Sequence, residues 1–180
     1  MHEHVNNTDK PLVFVGSNNS LHRLKDICQS IGYSVHGVID DDFTDHVQEI
    51  PIIARLSEIP KLTQYQFFCA TNWQPDNILD PWVVRNRNKR NDIITLLEQS
   101  KSSVASIVSK QADICWYNTQ IGKGVLLDSS CQIWQDVVIG DWTTVYSYAL
   151  VAVGSRIGRN CVIQRYASII DSVTIKDQCY

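Results

Sequence analysis

No histidine follows residue 46. The chain of 180 residues holds five, at positions 2, 4, 22, 36 and 46, so most of its length carries no imidazole for acid–base work. Cysteine is present but never as a CxxC pair: the six stand at residues 28, 69, 115, 131, 161 and 179. That spacing supports neither a disulfide framework nor a zinc site, and reduced thiols in a cytoplasmic setting are expected. No apolar run approaches the ~18 residues of a membrane span. The opening MHEHVNNTDK lacks an apolar core, so no signal peptide is expected. Basic residues are not in excess: the net charge is −3, which argues against nucleic acid as a partner.

What is present begins with a βαβ pattern. Residues 11–42 read PLVFVGSNNSLHRLKDICQSIGYSVHGVIDDD. An apolar strand runs to Gly16. Leu21, Leu24, Ile27 and Ile31 then share one helical face. Ser20 or Asn19 is placed to cap that helix. A second strand is expected over 33–39, ending in Asp40, Asp41 and Asp42. Such a unit predicts a parallel sheet whose first turn faces a crevice. YQFFCAT, residues 65–71, reads as a later buried strand, and VVRNRNKRNDIITLLEQS, residues 83–100, as a helix. The first turn has one glycine where a dinucleotide fingerprint needs three, so NAD is not expected. Free N–H groups at the helix start can still meet a phosphate. Asp40 and Asp41 either accept from a ribose or base edge or form a solvated turn. Arg85, Arg87, Lys89 and Arg90 either face a pyrophosphate or make a wet helix face.

The second half has a period of six. Ile121, Leu127, Ile133, Ile139, Val145, Val151, Ile157, Ile163, Ile169 and Ile175 are all aliphatic. Two residues before each, from Thr119 to Val173 and on to Cys179, every side chain is small or β-branched. A fixed short period marks a solenoid. Six residues make one flat side, and three sides close a triangular coil of 18. The aliphatic series points inward, and burying each member contributes roughly 1.5–3 kcal/mol. Cysteines in the small series are then packing, not chemistry. Gly122, Gly140 and Gly158 recur at the coil spacing and suit corners needing φ > 0. Trp116 and Trp134, also 18 apart, are expected to stack at one outer corner with Ala152. Before Thr119 the pattern weakens, and irregular coils are expected.

VFVGSNNS, GVIDDD, FFCATN and the hexads around DVVIGDWTTV resemble the nucleotide-sugar acetyltransferases of bacillosamine and sialic-acid pathways, over nearly the whole chain. The resemblance implies an α/β Rossmann-like βαβ domain followed by a left-handed parallel β-helix. Residues 1–10 would be a flexible N-terminus, 11–100 the nucleotide-sugar-binding domain and 101–180 the acyltransferase-like β-helix. It further implies a homotrimer, acetyl-CoA as co-substrate without a metal, and a nucleotide-linked amino sugar as acceptor. Gly16, Ser17, Asn18, Asn19, Asp40 and Asp41 fall where such enzymes hold the nucleotide. Acetyl-CoA would run past Thr144, Tyr148, Val153 and Gly154. The family's histidine–acid pair falls on Gln135 and Asp136; a second family histidine falls on Thr144 and a glycine on Tyr148.

These replacements keep the scaffold and remove the base. A general base contributes typically ~10²–10⁴-fold, whereas positioning two reactants can contribute roughly 7–11 kcal/mol. A neutral amine already has its lone pair; a hydroxyl needs help. Two readings follow. In one, the chain is an N-acyltransferase in which Gln135 and Asp136 orient rather than deprotonate. In the other, it is an inactive relative serving as a nucleotide-sugar-binding or protein-interaction scaffold.

Overall fold

The structure, a computed structural model, describes residues 9–18, 20–71 and 81–180, with side chains from residue 88 onward in the last stretch. Most of the proposed flexible terminus (residues 1–8), Asn19, and the side chains of Arg85 and Arg87 lie outside the described residues. Contacts divide the chain into two compact units that meet in sequence at Ala105 and Ser106.

The first unit is built on the parallel strand pair that the βαβ pattern predicts. β1 (Leu12–Val15) is apolar and fully buried. α1 (Leu21–Ser30) buries Leu21, Leu24, Ile27 and Cys28. Ser20 is its N-cap residue but makes no side-chain cap bond; its own N–H goes to Asn18 Oδ1 instead. β2 (Val35–Ile39) follows, then β3 (His46–Val47), β4 (Ile50–Ala54), a 3₁₀ turn (Leu56–Lys61), β5 (Gln66–Cys69) and α2 (Pro81–Gln99). The strand order is β3-β4-β2-β1-β5. β4, β2, β1 and β5 run parallel, and β3 adds an antiparallel edge that the sequence did not announce.

The second unit is a three-sided parallel β-helix. Its first face stacks β6 (Ile107–Val108), β9 (Leu126–Leu127), β12 (Thr144–Val145) and β15 (Val162–Ile163). Its second stacks β7 (Asp113–Ile114), β10 (Gln132–Ile133), β13 (Leu150–Val151) and β16 (Ser168–Ile169). Its third stacks β8 (Gln120–Ile121), β11 (Val138–Ile139), β14 (Arg156–Ile157) and β17 (Thr174–Ile175). Ile133, Val151 and Ile169 are in register, as the period demands. The core is the aliphatic series with Val125, Cys131, Val137, Ala149 and Cys161 from the small one.

Three expectations are corrected. The coil does not become irregular before Thr119: β6 and β7 continue the stack, with Val108 and Ile114 in the inward columns. One additional residue between Ile114 and Asn118 shifts the phase, since Ile114 pairs with Ile133 while Ile121 pairs with Ile139. The insertion falls at Cys115–Trp116, and the N–H of Cys115 reaches Ile133 O. The 18-residue spacing of Trp116 and Trp134 therefore does not express a shared strand register. Third, Gly122, Gly140 and Gly158 are not the left-handed positions.

The left-handed corners fall elsewhere, and they keep the period. Asn118, Gly124, Ser130, Asp136, Trp142, Tyr148, Gly154, Asn160, Tyr166, Ser172 and Gln178 all have φ between 50° and 68°. Most of these are not glycine, and such backbone costs of order 1–3 kcal/mol at a residue with a Cβ. Stacking offsets it at Ser130, Asp136, Trp142, Gly154, Asn160, Ser172 and Gln178, whose N–H groups bond the coil below, as from Trp142 to Lys123 O at 2.8 Å. Gly140 is required for a different reason. A Cβ there would lie 2.7 Å from Gly158 C and 2.8 Å from Gly158 O, which are backbone and cannot swing aside. A Cβ on Gly154 meets only Ser172 Oγ, at 3.4 Å. Gly140→Ala is therefore expected to cost about 1–3 kcal/mol. Gly154→Asn, which suits the left-handed corner, is expected to cost less than about 1 kcal/mol. Urea unfolding of the two variants reads the difference; equal losses would contradict it.

Candidate functional site

Two places carry polar chemistry, one in each unit. In the first unit the strands β1, β2 and β5 end side by side. Gly16 leaves β1 with φ 74° and gives its N–H to Ile39 O at 2.8 Å. A side chain there would strike Thr71 Oγ1, so glycine is needed for space as well as for φ. Ser17 and Asn18 follow, both half-buried. Asn18 Nδ2 donates to Ala70 O, and Gln48 Nε2 donates to Asn18 O at 2.7 Å. The loop is thus tied to β5 and to the turn between β3 and β4.

Asp40 is fully buried at the end of β2. Its Oδ1 accepts from Lys89 Nζ at 2.6 Å and from the Asp42 N–H at 3.0 Å. Among the described residues, its Oδ2 is buried without a hydrogen-bond partner. Lys89 also donates to Asp42 Oδ2 at 2.7 Å. Burial works to lower the Lys89 pKa, but the hydrogen bonds and charges of Asp40 and Asp42 outweigh it and leave the pKa raised. The stabilisation is fully present below the ordinary lysine pKa of about 10.4 and is lost as pH climbs through the raised value. Asp41 Oδ1 accepts the Leu56 N–H at 3.0 Å. Arg55 Nη1 donates to the carbonyls of Asp40, Asp41 and Phe43 at 3.2, 3.0 and 2.9 Å. Arg90 is buried and donates to Thr71 O at 2.9 Å. Lys89 and Arg90 therefore turn inward and are not a wet helix face. Arg55 and Thr71 escaped sequence reasoning, because nothing local marks an arginine that serves a loop twelve or more residues upstream.

In the second unit, the corner between β10 and β11 carries Gln135 and Asp136. Asp136 is one of the left-handed residues, with φ 59°. Its N–H bonds Tyr117 O at 2.9 Å, and its Oδ1 accepts from Asn118 Nδ2 at 2.9 Å, one coil below. Gln135 O accepts the Gly154 N–H at 3.1 Å from the coil above. The Gln135 side chain is exposed. Val153 and Gly154 stack over Gln135 and Asp136, so the structure brings these four together. Thr144 and Tyr148 stand apart from them. Thr144 is buried on the outer side of β12, in register with Leu126 and Val162. Tyr148 occupies the corner between β12 and β13, across the face from Gln135. It is 56% exposed and stacks on Tyr166, with centroids 5.1 Å apart and planes 5° from parallel.

The cysteines do not contribute chemistry to these places. Cys28, Cys69, Cys131 and Cys161 are buried. Desolvation raises all four thiol pKa values, that of Cys131 to about 12. Cys115 and Cys179 are exposed. Among the described residues, no group of three or more His, Cys, Asp or Glu is placed to hold a metal. No described helix is long and apolar enough to cross a membrane.

A mostly parallel α/β sheet unit followed by a three-sided parallel β-helix defines the fold. Solved structures share it. A histidine-to-asparagine variant of perosamine N-acetyltransferase from Caulobacter crescentus, in complex with CoA and GDP-perosamine, matches with a TM-score of 0.71 at 17% identity, over 94% of this chain and 84% of that one. WeeI from Acinetobacter baumannii matches with a TM-score of 0.62 at 19% identity, over 93% and 76% of the two chains. The acetyltransferase domain of PglB from Neisseria gonorrhoeae matches with a TM-score of 0.56 at 14% identity, over 94% and 89%. These stacked parallel sheets are of the kind a left-handed β-helix requires. No protein-family model and no curated protein sequence matches the chain.

Proposed function

We propose that this chain is an acyl-CoA-dependent N-acyltransferase that acts on a nucleotide-linked amino sugar. The observation that carries the reading is the extent of the fold match. The likeness spans 94% of the chain, both units included, and the matched protein is seen with CoA and an amino-sugar nucleotide. A Rossmann-like unit would hold the nucleotide at Gly16, Ser17, Asn18, Asp40 and Asp41. The β-helix would carry acetyl-CoA, with Gln135 and Asp136 at the reacting end.

The missing histidine fits an amine acceptor. Variants of the Caulobacter protein with one histidine changed to asparagine or alanine are seen with both CoA and GDP-perosamine, so binding there does not require that imidazole. Gln135 donates and accepts through its amide and can orient a thioester oxygen or an amine. Asp136 is held from one side by Asn118, through Oδ1, and its other oxygen would accept an amine N–H. Thr144, Tyr148, Val153 and Gly154 lie on different sides of one prism. A homotrimer would let the Tyr148 corner of one copy approach the Gln135 corner of the next, which gives the CoA groove a second wall.

Calorimetry with acetyl-CoA and with UDP- and GDP-linked amino sugars, followed by a transfer assay on the pair that binds, tests the reading. Binding of both ligands and slow N-acetylation are expected. Nucleotide binding without acetyl-CoA binding would favour the scaffold reading instead.

A further inference from the structure

We propose that Lys89 is a positioning residue that makes the acidic strand end of the first unit receptive to a nucleoside diphosphate. The inference deepens the nucleotide-sugar reading above and rests on it. Three consecutive carboxylates, Asp40, Asp41 and Asp42, end β2. A ligand bearing a pyrophosphate is repelled by such a cluster unless its charge is met. The structure meets it with Lys89, and Arg55 and Arg90 lie on neighbouring backbone. Arg55 donates to the backbone carbonyls of Asp40, Asp41 and Phe43, and Arg90 to Thr71 O and to Cys69. Lys89 is bonded to the carboxylates, at 2.6 Å from Asp40 and 2.7 Å from Asp42.

The geometry also leaves something for a ligand. An ammonium has three N–H donors, and Lys89 spends two on these acids while its side chain stays 17% exposed. By holding Asp40 through Oδ1, it leaves Oδ2 as a buried acceptor that has no partner among the described residues. Orphaned buried oxygens are rare in folded proteins and call for a partner. A ribose or base edge brings the N–H or O–H that Asp40 Oδ2 lacks, and the phosphates bring the negative charge that Lys89 offsets.

The test uses the full chain with UDP and GDP as probes, titrated at low and high salt. Lys89→Met is expected to weaken whichever nucleotide the wild type binds by about tenfold at low salt. The loss should shrink at high salt, because screening removes the surplus charge. Lys89→Met with Asp42→Asn should recover most of the affinity. Asp42→Asn alone, which keeps the Asp40–Lys89 pair, should bind at least as tightly as the wild type and guards against a single variant that does not fold. Wild-type affinity in Lys89→Met, no recovery in the double variant, or weakened binding in Asp42→Asn would each overturn the inference. A wild-type chain that binds neither nucleotide would remove the nucleotide reading itself, and this inference with it.

Discussion

Gln135→His is expected to raise the rate of acetyl transfer to the amino sugar by about 10²-fold. The substitution puts a base at the corner proposed above as the reacting end. The backbone at Gln135 is fixed from above by Gly154 and the next residue from below by Tyr117 and Asn118. Its side chain points into open space, so an imidazole displaces no packed neighbour. Asp136 is adjacent and offers the carboxylate that orients a catalytic histidine elsewhere. The sign of the pH response follows. A base works unprotonated, so the gained rate should rise from acid pH through about 6.5 and level off above it. Steady-state kinetics over that range reads both effects. Wild-type turnover with no new inflection would place the reacting end away from this corner.

Val151→Asp is expected to abolish the cooperative unfolding transition of the β-helix. Val151 is fully buried, between Ile133 below and Ile169 above. The surrounding column is aliphatic and offers no donor. Burying an unpaired carboxylate costs several kcal/mol even after relaxation, against a typical domain stability of about 5–15 kcal/mol. Val151→Ile, which keeps the chemistry and adds one methylene, bounds the steric part at about 1–3 kcal/mol. Circular dichroism during urea titration separates the two. A Val151→Asp chain that melts like Val151→Ile would mean the column is wet.

The β-helix was legible because its inward columns repeat a simple demand. Each rung needs one aliphatic and one small side chain, and the chain supplies them from Ile121 to Ile175 without exception. The corners were not legible for the opposite reason. Their left-handed residues include Trp142, Tyr148 and Tyr166, side chains that no rule of turn composition would place there. Trp142 packs over Gly124 one coil below, where a Cβ would lie 2.4 Å from the indole. Its backbone is set by that stacking, a contact between residues eighteen apart. The hairpin of β3 and β4 was missed on similar grounds. Gln48 and Glu49 form its two-residue turn with φ 47° and 59°, yet carry no Asn-Gly or Gly signal. At the strand ends, the acids were visible in sequence, but their counter-ion was not. Lys89 lies 49 residues beyond Asp40, and only the fold brings the two within hydrogen-bonding reach.

The extra residue at Cys115–Trp116 has a bearing on how such a molecule can change. It lengthens one bend by a single amino acid, yet Ile114 and Val108 still seat beneath Ile133 and Leu127. Length added at a vertex is absorbed there and never reaches the sides. Chain added at a vertex can therefore lengthen the bend while the interior stays as it was.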